Sequence, residues 1–117
     1  MTTRKNKYNA QKVKADGYTF DSQAEHRRYE QLKLLERARE IAFLCVHPRY
    51  DLHVPTVCGG ETKIGTYTAD FTYTEAGTGK RIVEDVKSAP TARKEMYRWK
   101  KKHMAAEYGI EIQEVSA

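Results

Sequence analysis

Two neighbouring stretches decide the fold: Tyr67-Thr68-Ala69-Asp70-Phe71-Thr72-Tyr73 and Arg81-Ile82-Val83-Glu84-Asp85-Val86-Lys87. The first lies in a strand predicted over Gly65–Thr74 and rich in Tyr, Thr and Phe; the second is a β-branched strand. Glu75-Ala76-Gly77-Thr78-Gly79 between them is a hairpin loop, so the two strands run antiparallel and adjacent. Strand alternation groups Asp70 with Thr68 and Thr72, opposite Tyr67, Ala69, Phe71 and Tyr73. On the next strand Arg81, Val83, Asp85 and Lys87 share one face, and Ile82, Glu84 and Val86 the other.

Working outward toward the N-terminus, Pro55–Lys63 with Gly59-Gly60 is a loop, preceded by extended segments Ile41–Val46 and Tyr50–Val54. His47-Pro48 interrupts them, because Pro cannot donate to a central ladder, and one bent strand would satisfy both. A helix from Ser22 to about Arg39 precedes them: Ser22 is the N-cap, Glu25 stands three residues on, and no Gly or Pro follows. Lys12–Asp21 is a small hairpin turning at Asp16-Gly17. Toward the C-terminus, Ser88-Ala89-Pro90-Thr91 opens a second helix that runs to Tyr108 and stops at Gly109, and Ile110–Val115 is a last strand. The expected architecture is a single α/β domain over residues 1–117. Its helix–strand–strand–strand–helix–strand core surrounds a mixed central sheet, behind a basic tail (residues 1–11) and the small hairpin.

Composition narrows the class. The chain has 117 residues, 39% hydrophobic and 32% charged, with eight Tyr and one Trp, which suits one soluble domain with one modest core. No stretch approaches the roughly 20 apolar residues of a membrane span and Met1–Ala10 has no signal-peptide core, so a cytoplasmic protein is expected. Cys45 and Cys58 are too few for a disulfide scaffold and are expected to be free thiols. The net charge of +5 is unevenly spread. Arg4, Lys5, Lys7, Lys12 and Lys14 face no acid in the first 15 residues. Arg93, Lys94, Arg98, Lys100, Lys101 and Lys102 face Glu95 alone between Thr91 and His103, and the remaining body is acidic. That asymmetry points to a polyanionic partner. On the second helix Ala92, Met96, Trp99, His103 and Ala106 form one stripe and Tyr97, Met104 and Tyr108 another, with the aromatic residues expected in the core. Lys94, Arg98, Lys101 and Lys102 between the stripes suit phosphate contacts that do not read bases.

Three acids stand where structure alone would prefer apolar side chains. Glu25 lies on the helix stripe of Tyr29, Leu32 and Leu35, so it is either a cap or part of a site. Asp70 is either solvated or convergent with Asp85 across the hairpin, and a helix packed on the sheet brings Glu25 to the same end. Converging carboxylates repel and are tolerated around a cation; oxygen ligands favour Mg²⁺. Lys87 would then orient a metal-activated water or balance charge developing on phosphate, an arrangement suited to phosphodiester hydrolysis. Cys45, His47, His53 and Cys58 match no paired zinc spacing, and zinc is not expected. His26 and His103 call for no catalytic role.

These residues resemble the PD-(D/E)XK nuclease superfamily, whose common core has the same element order. Asp70 matches the first motif Asp and Asp85-Val86-Lys87 matches (D/E)XK. More closely, Lys7-Tyr8-Asn9-Ala10, Phe20-Asp21-Ser22 with Glu25, Ala69-Asp70-Phe71, Val83-Glu84-Asp85-Val86-Lys87 and Tyr108-Gly109-Ile110-Glu111-Ile112 are similar to small bacteriophage and prophage endonucleases of that superfamily. Ala69 replaces the motif's Pro, which shapes backbone and carries no reacting group. The resemblance implies a restriction-endonuclease-like fold and a Mg²⁺-dependent DNA endonuclease, with Mn²⁺ substituting and relatives that cut branched DNA such as Holliday junctions. Asp70 and Asp85 would be metal ligands, Glu25 would complete the shell or position water, and Lys87 would be the catalytic lysine. Arg4, Lys5, Lys7, Lys94, Arg98, Lys101 and Lys102 would grip DNA, and two cuts on opposing strands would require a homodimer. Two readings compete: a nonenzymatic nucleic-acid-binding module of the double-stranded-RNA-binding kind, which needs no inward acids, and a protein-binding regulator using the acidic body and the Tyr-rich strands as an interface.

Overall fold

The computed structural model describes residues 11–88 and 92–117. Strands β1 (Val13–Ala15) and β2 (Tyr18–Phe20) form the expected hairpin, and Asp16 and Gly17 both take positive φ, 52° and 82°, as a turn matched to strand twist requires. Helix α1 (Gln23–Arg37) starts where expected, its first turn capped by the Ser22 hydroxyl accepting from the Glu25 N–H at 3.1 Å. The central sheet has four strands in the order β3 (Ile41–Val46), β6 (Phe71–Glu75), β7 (Arg81–Lys87) and β8 (Gln113–Ser116). The first three pair antiparallel; β8 runs parallel to β7 after the crossover helix α2 (Glu95–Tyr108). The expected mixed α/β architecture is therefore present. Among the described residues, no helix is long and apolar enough to cross a membrane.

Two expected strands are each divided. Ile41–Val54 is not one bent strand: β3 belongs to the central sheet, whereas β4 (Arg49–Pro55) pairs with β5 (Glu61–Thr68) in a separate two-stranded ribbon. Gly65–Thr74 likewise divides at Ala69-Asp70 into β5 and β6. Both breaks occur at one level, because the His47 N–H donates to the Asp70 carbonyl at 2.9 Å and the Ala69 N–H to the Pro48 carbonyl at 3.0 Å. His47 takes φ 55°, a left-handed conformation that turns the chain out of the sheet. The loop expected over Pro55–Lys63 shrinks to residues 56–60, because Gly59 and Gly60, at φ 91° and 80°, allow a tight turn and let the ribbon lengthen. The second helix begins at Glu95 rather than near Ser88; Lys94 precedes it in extended backbone, and residues 89–91 lie outside the described residues. It ends as expected at Gly109, whose φ of 66° is left-handed. The last strand starts three residues later than Ile110 and includes Ser116.

Each face of the sheet has its own core. Phe20, Tyr29, Leu32, Ile41, Phe71, Tyr73 and Ile82 pack together on the α1 side. Tyr97 and Met104 of α2 pack with Leu52, Tyr67, Ala69, Val83 and Ile112 on the other. Ile82 and Val83 enter opposite cores, so β7 is buried on both faces and its two acids are buried with it. Glu84, 2% exposed, accepts two bonds from the Arg28 guanidinium, Nε at 2.8 Å and Nη2 at 2.6 Å, and a third from the Tyr73 hydroxyl. The fork ties α1 to the sheet and raises the Arg28 pKa, chiefly through its bonds to Glu84. Opposite, α2 holds the ribbon: Glu107 accepts from the His53 N–H at 2.6 Å, and Lys100 donates to the Thr66 carbonyl at 2.8 Å. At the edge, β3 bulges between Ala42 and Cys45; Phe43 takes φ 57° and is 77% exposed, and Arg81 Nη1 donates to its carbonyl at 3.0 Å.

Because Glu84 is buried, Arg28→Met should leave an uncompensated charge and lower the unfolding free energy by about 3–5 kcal/mol in urea titrations. Adding Glu84→Gln should recover much of that loss; an equal loss in single and double variants would show that the charge is not its source.

Candidate metal centre

The break between sheet and ribbon lies beside the first turn of α1, and three side chains meet there. A carboxylate oxygen of Glu25, a ring nitrogen of His47 and a carboxylate oxygen of Asp70 all lie within 4.8 Å of one another. Glu25, 4% exposed, divides its carboxylate between two tasks. Oε2 accepts from the Asp21 N–H at 3.3 Å, a back-bond one residue short of the usual capping-box partner, and Oε1 lies 2.8 Å from His47 Nε2. The cap and the site are thus the same residue. Asp70 is held by its neighbours on β7: its Oδ2 accepts from the Val86 N–H at 2.7 Å, and its own N–H donates to Asp85 Oδ1 at 2.9 Å.

Asp85 is 1% exposed, and its other oxygen accepts from the Tyr67 hydroxyl. The structure therefore brings Glu25 and Asp70 together with His47 and sets Asp85 directly behind Asp70, with both of its oxygens engaged by protein donors. Lys87, on the same face of β7 as Asp85, holds its ammonium 4.6 Å above the Tyr97 ring. Its charge lowers the pKa of both Asp70 and Asp85, so it lies within electrostatic reach of the acids. Glu84 points to the other face, as strand alternation requires.

Burial pushes Asp70 up to about 7, and the charges of Glu25 and Asp85 push the same way against the Val86 bond and Lys87. Burial also raises Asp85, offset by the Tyr67 hydroxyl, Lys87 and the Asp70 N–H. The donor set fits a divalent cation: an oxygen from each of two acids and an imidazole nitrogen converge, and a positive charge among them would offset the burial and the repulsion that together hold Asp70 up. His47 is the member that sequence reasoning set aside, having weighed it only against zinc spacings along the chain. Its signal is the His-Pro strand break, whose partner break at Ala69-Asp70 carries the acid.

Of the residues assigned to DNA, Arg4, Lys5 and Lys7 lie outside the described residues. Lys94 is the N-cap of α2, and Lys101 pairs with Glu114 at 3.4 Å. Arg98 and Lys102 are exposed and line one surface concavity with Glu95 and Trp99. Trp99 is 63% exposed, which corrects the expectation that the helix's aromatic residues are core: Tyr97 and Met104 are the buried stripe, because that side of α2 rests on Val83 and Ile112.

Fold and site together define a mixed α/β domain with a candidate divalent-cation centre where a hairpin leaves its sheet. The chain belongs to the family described as "Protein of unknown function (DUF1064)", which matches residues 5–114. No curated protein and no solved structure matches it.

The raised Asp70 has a consequence for stability. The usual carboxylate value is 3.8 and the folded value about 7, so between these the folded state binds more protons than the unfolded one. Stability of the metal-free protein should fall as pH rises through that window and stay low above it. Asp70→Asn should be more stable than wild type at pH 8 by about 2–4 kcal/mol, with the gap closing near pH 4, in EDTA-treated thermal melts.

Proposed function

We propose that the protein is a divalent-cation-dependent DNA endonuclease of the PD-(D/E)XK kind. The observation that carries this reading is the convergence of Glu25, His47 and Asp70 within 4.8 Å, with Asp85 and Lys87 on the strand alongside. Glu25 and Asp70 would hold the cation, with Asp85 as a further acid that fixes Asp70 through its backbone. Mg²⁺ is what an all-carboxylate set would take, with Mn²⁺ substituting. A cation bound there supplies Lewis-acid polarisation of a phosphodiester and a more acidic water. The chain's own contribution is positional: Asp85 and the Val86 N–H fix the Asp70 carboxylate, and the Ser22 cap fixes Glu25. Lys87, held over Tyr97, offers its ammonium to negative charge developing on phosphate.

Substrate grip falls to the basic segments. Arg98 and Lys102 on α2, with Lys94, Lys101 and the N-terminal Arg4, Lys5 and Lys7, suit backbone phosphates and support shape-directed recognition of branched DNA such as Holliday junctions. A homodimer would supply the two sites that symmetric cleavage needs, and the setting would be the cytoplasm of a bacterial host, in phage DNA recombination or processing.

Matched linear duplex, single-stranded, flap and four-way-junction DNA, incubated with Mg²⁺, Mn²⁺ or EDTA, tests this reading. Cation-dependent cutting is expected, falling by about 10²–10³-fold or more in Asp70→Asn, Asp85→Asn and Lys87→Ala, with DNA binding by gel shift retained. Tight binding without cutting by wild type in either cation would instead make this a nonenzymatic nucleic-acid-binding module.

A further inference from the structure

We infer that His47 is a ligand of the same cation through Nε2, and that this nitrogen makes the site prefer Mn²⁺ to Mg²⁺. The inference rests on the metal-dependent reading above and goes beyond the acids that the resemblance implies. Geometry carries it. Nε2 lies 2.8 Å from Glu25 Oε1, and a ring nitrogen of His47 and a carboxylate oxygen of Glu25 both lie within 4.8 Å of an Asp70 oxygen. A simple His–Glu bond would account for the first distance but leaves the third member unexplained, since Asp70 takes no part in that bond. Asp70 is nevertheless held at the same point by the Val86 N–H and by the Asp85 clamp on its own N–H.

His47 is likewise held from several sides. Its φ of 55° and its N–H bond to the Asp70 carbonyl fix the backbone, and Pro48 follows immediately. The ring packs 5.8 Å from Phe20 and edge-on to Tyr18 at 6.5 Å, centroid to centroid. A surface histidine serving only solubility needs none of this. The backbone bond that places His47 runs to Asp70 itself, so one constraint positions two of the three donors.

The chemical consequence concerns which cation is held. Mg²⁺ is a hard cation that demands oxygen ligands and gives up water reluctantly, whereas first-row transition cations accept imidazole readily. Mn²⁺ shares the charge and octahedral habit of Mg²⁺ and still binds nitrogen, so two carboxylates and one imidazole favour it. His47→Gly removes the ring while allowing the left-handed backbone.

The test is direct titration of the metal-free protein, without DNA, followed by Mn²⁺ electron paramagnetic resonance, with Mg²⁺ as competitor and spin-echo modulation to detect ligand nitrogen. Wild type should bind Mn²⁺ at least about tenfold more tightly than Mg²⁺ and show nitrogen coupling. His47→Gly should lose that coupling, bind Mn²⁺ about tenfold or more weakly, and keep its Mg²⁺ affinity within a few-fold; added imidazole should restore the coupling. Circular dichroism melts establish that the variant is folded. Bound Mn²⁺ without nitrogen coupling in wild type, or unchanged Mn²⁺ affinity in His47→Gly, overturns the role of His47, while cation-dependent DNA cutting would leave the nuclease reading standing. Failure of wild type to bind either cation, with no cutting, removes both.

Discussion

Two adjacent carboxylates buried on opposite faces of one inner strand constrain everything around them. Glu84 and Asp85 cannot stay charged in the interior without partners, and strand alternation sends them to different layers. Glu84 reaches toward α1 and takes Arg28 and Tyr73. Asp85 reaches the other way and takes the Tyr67 hydroxyl and the Asp70 N–H. The first set of bonds fixes the helix that carries Glu25; the second fixes the strand break that carries Asp70. A single dipeptide thus sets the separation between the two elements whose acids meet.

The strand break matters as much as the acids. A continuous hairpin from β3/β4 to β5/β6 would present Asp70 as one more alternating residue on a sheet face. Interrupting both strands at the same level, with a left-handed His47 opposite Asp70, turns the two side chains toward the end of α1. Glu25 completes the group without giving up its place in the helix cap, so the structural and chemical accounts of that residue hold together.

The order of the elements that build the central sheet, the Asp16-Gly17 turn, the Ser22 cap and the Gly109 stop were legible in the sequence because each rests on local backbone chemistry. The separate directions of Glu84 and Asp85 were legible for the same reason, since alternation needs only one strand. The ribbon was not: periodicity runs across Ala69-Asp70 without a visible gap, and only the cross-chain bonds of His47 and Ala69 reveal where the strands part. The exposure of Trp99 was hidden because α2 has two plausible apolar stripes, and the choice between them depends on the register of Val83 and Ile112 beneath it. Arg28 escaped notice as one of several basic residues on a charged helix, its role set by a partner 56 positions away.

The bulge in β3 has a bearing on how the molecule behaves in company. An edge strand offers unpaired amides and carbonyls as a template on which a neighbouring chain can extend the sheet. Here the left-handed turn at Phe43 throws the ladder out of step partway along β3, and Arg81 of β7 reaches across β6 to hold the Phe43 carbonyl. An incoming strand would meet an interrupted row of groups and a projecting aromatic ring rather than a flat edge. The irregularity therefore works against fibrous self-association along that edge of the sheet.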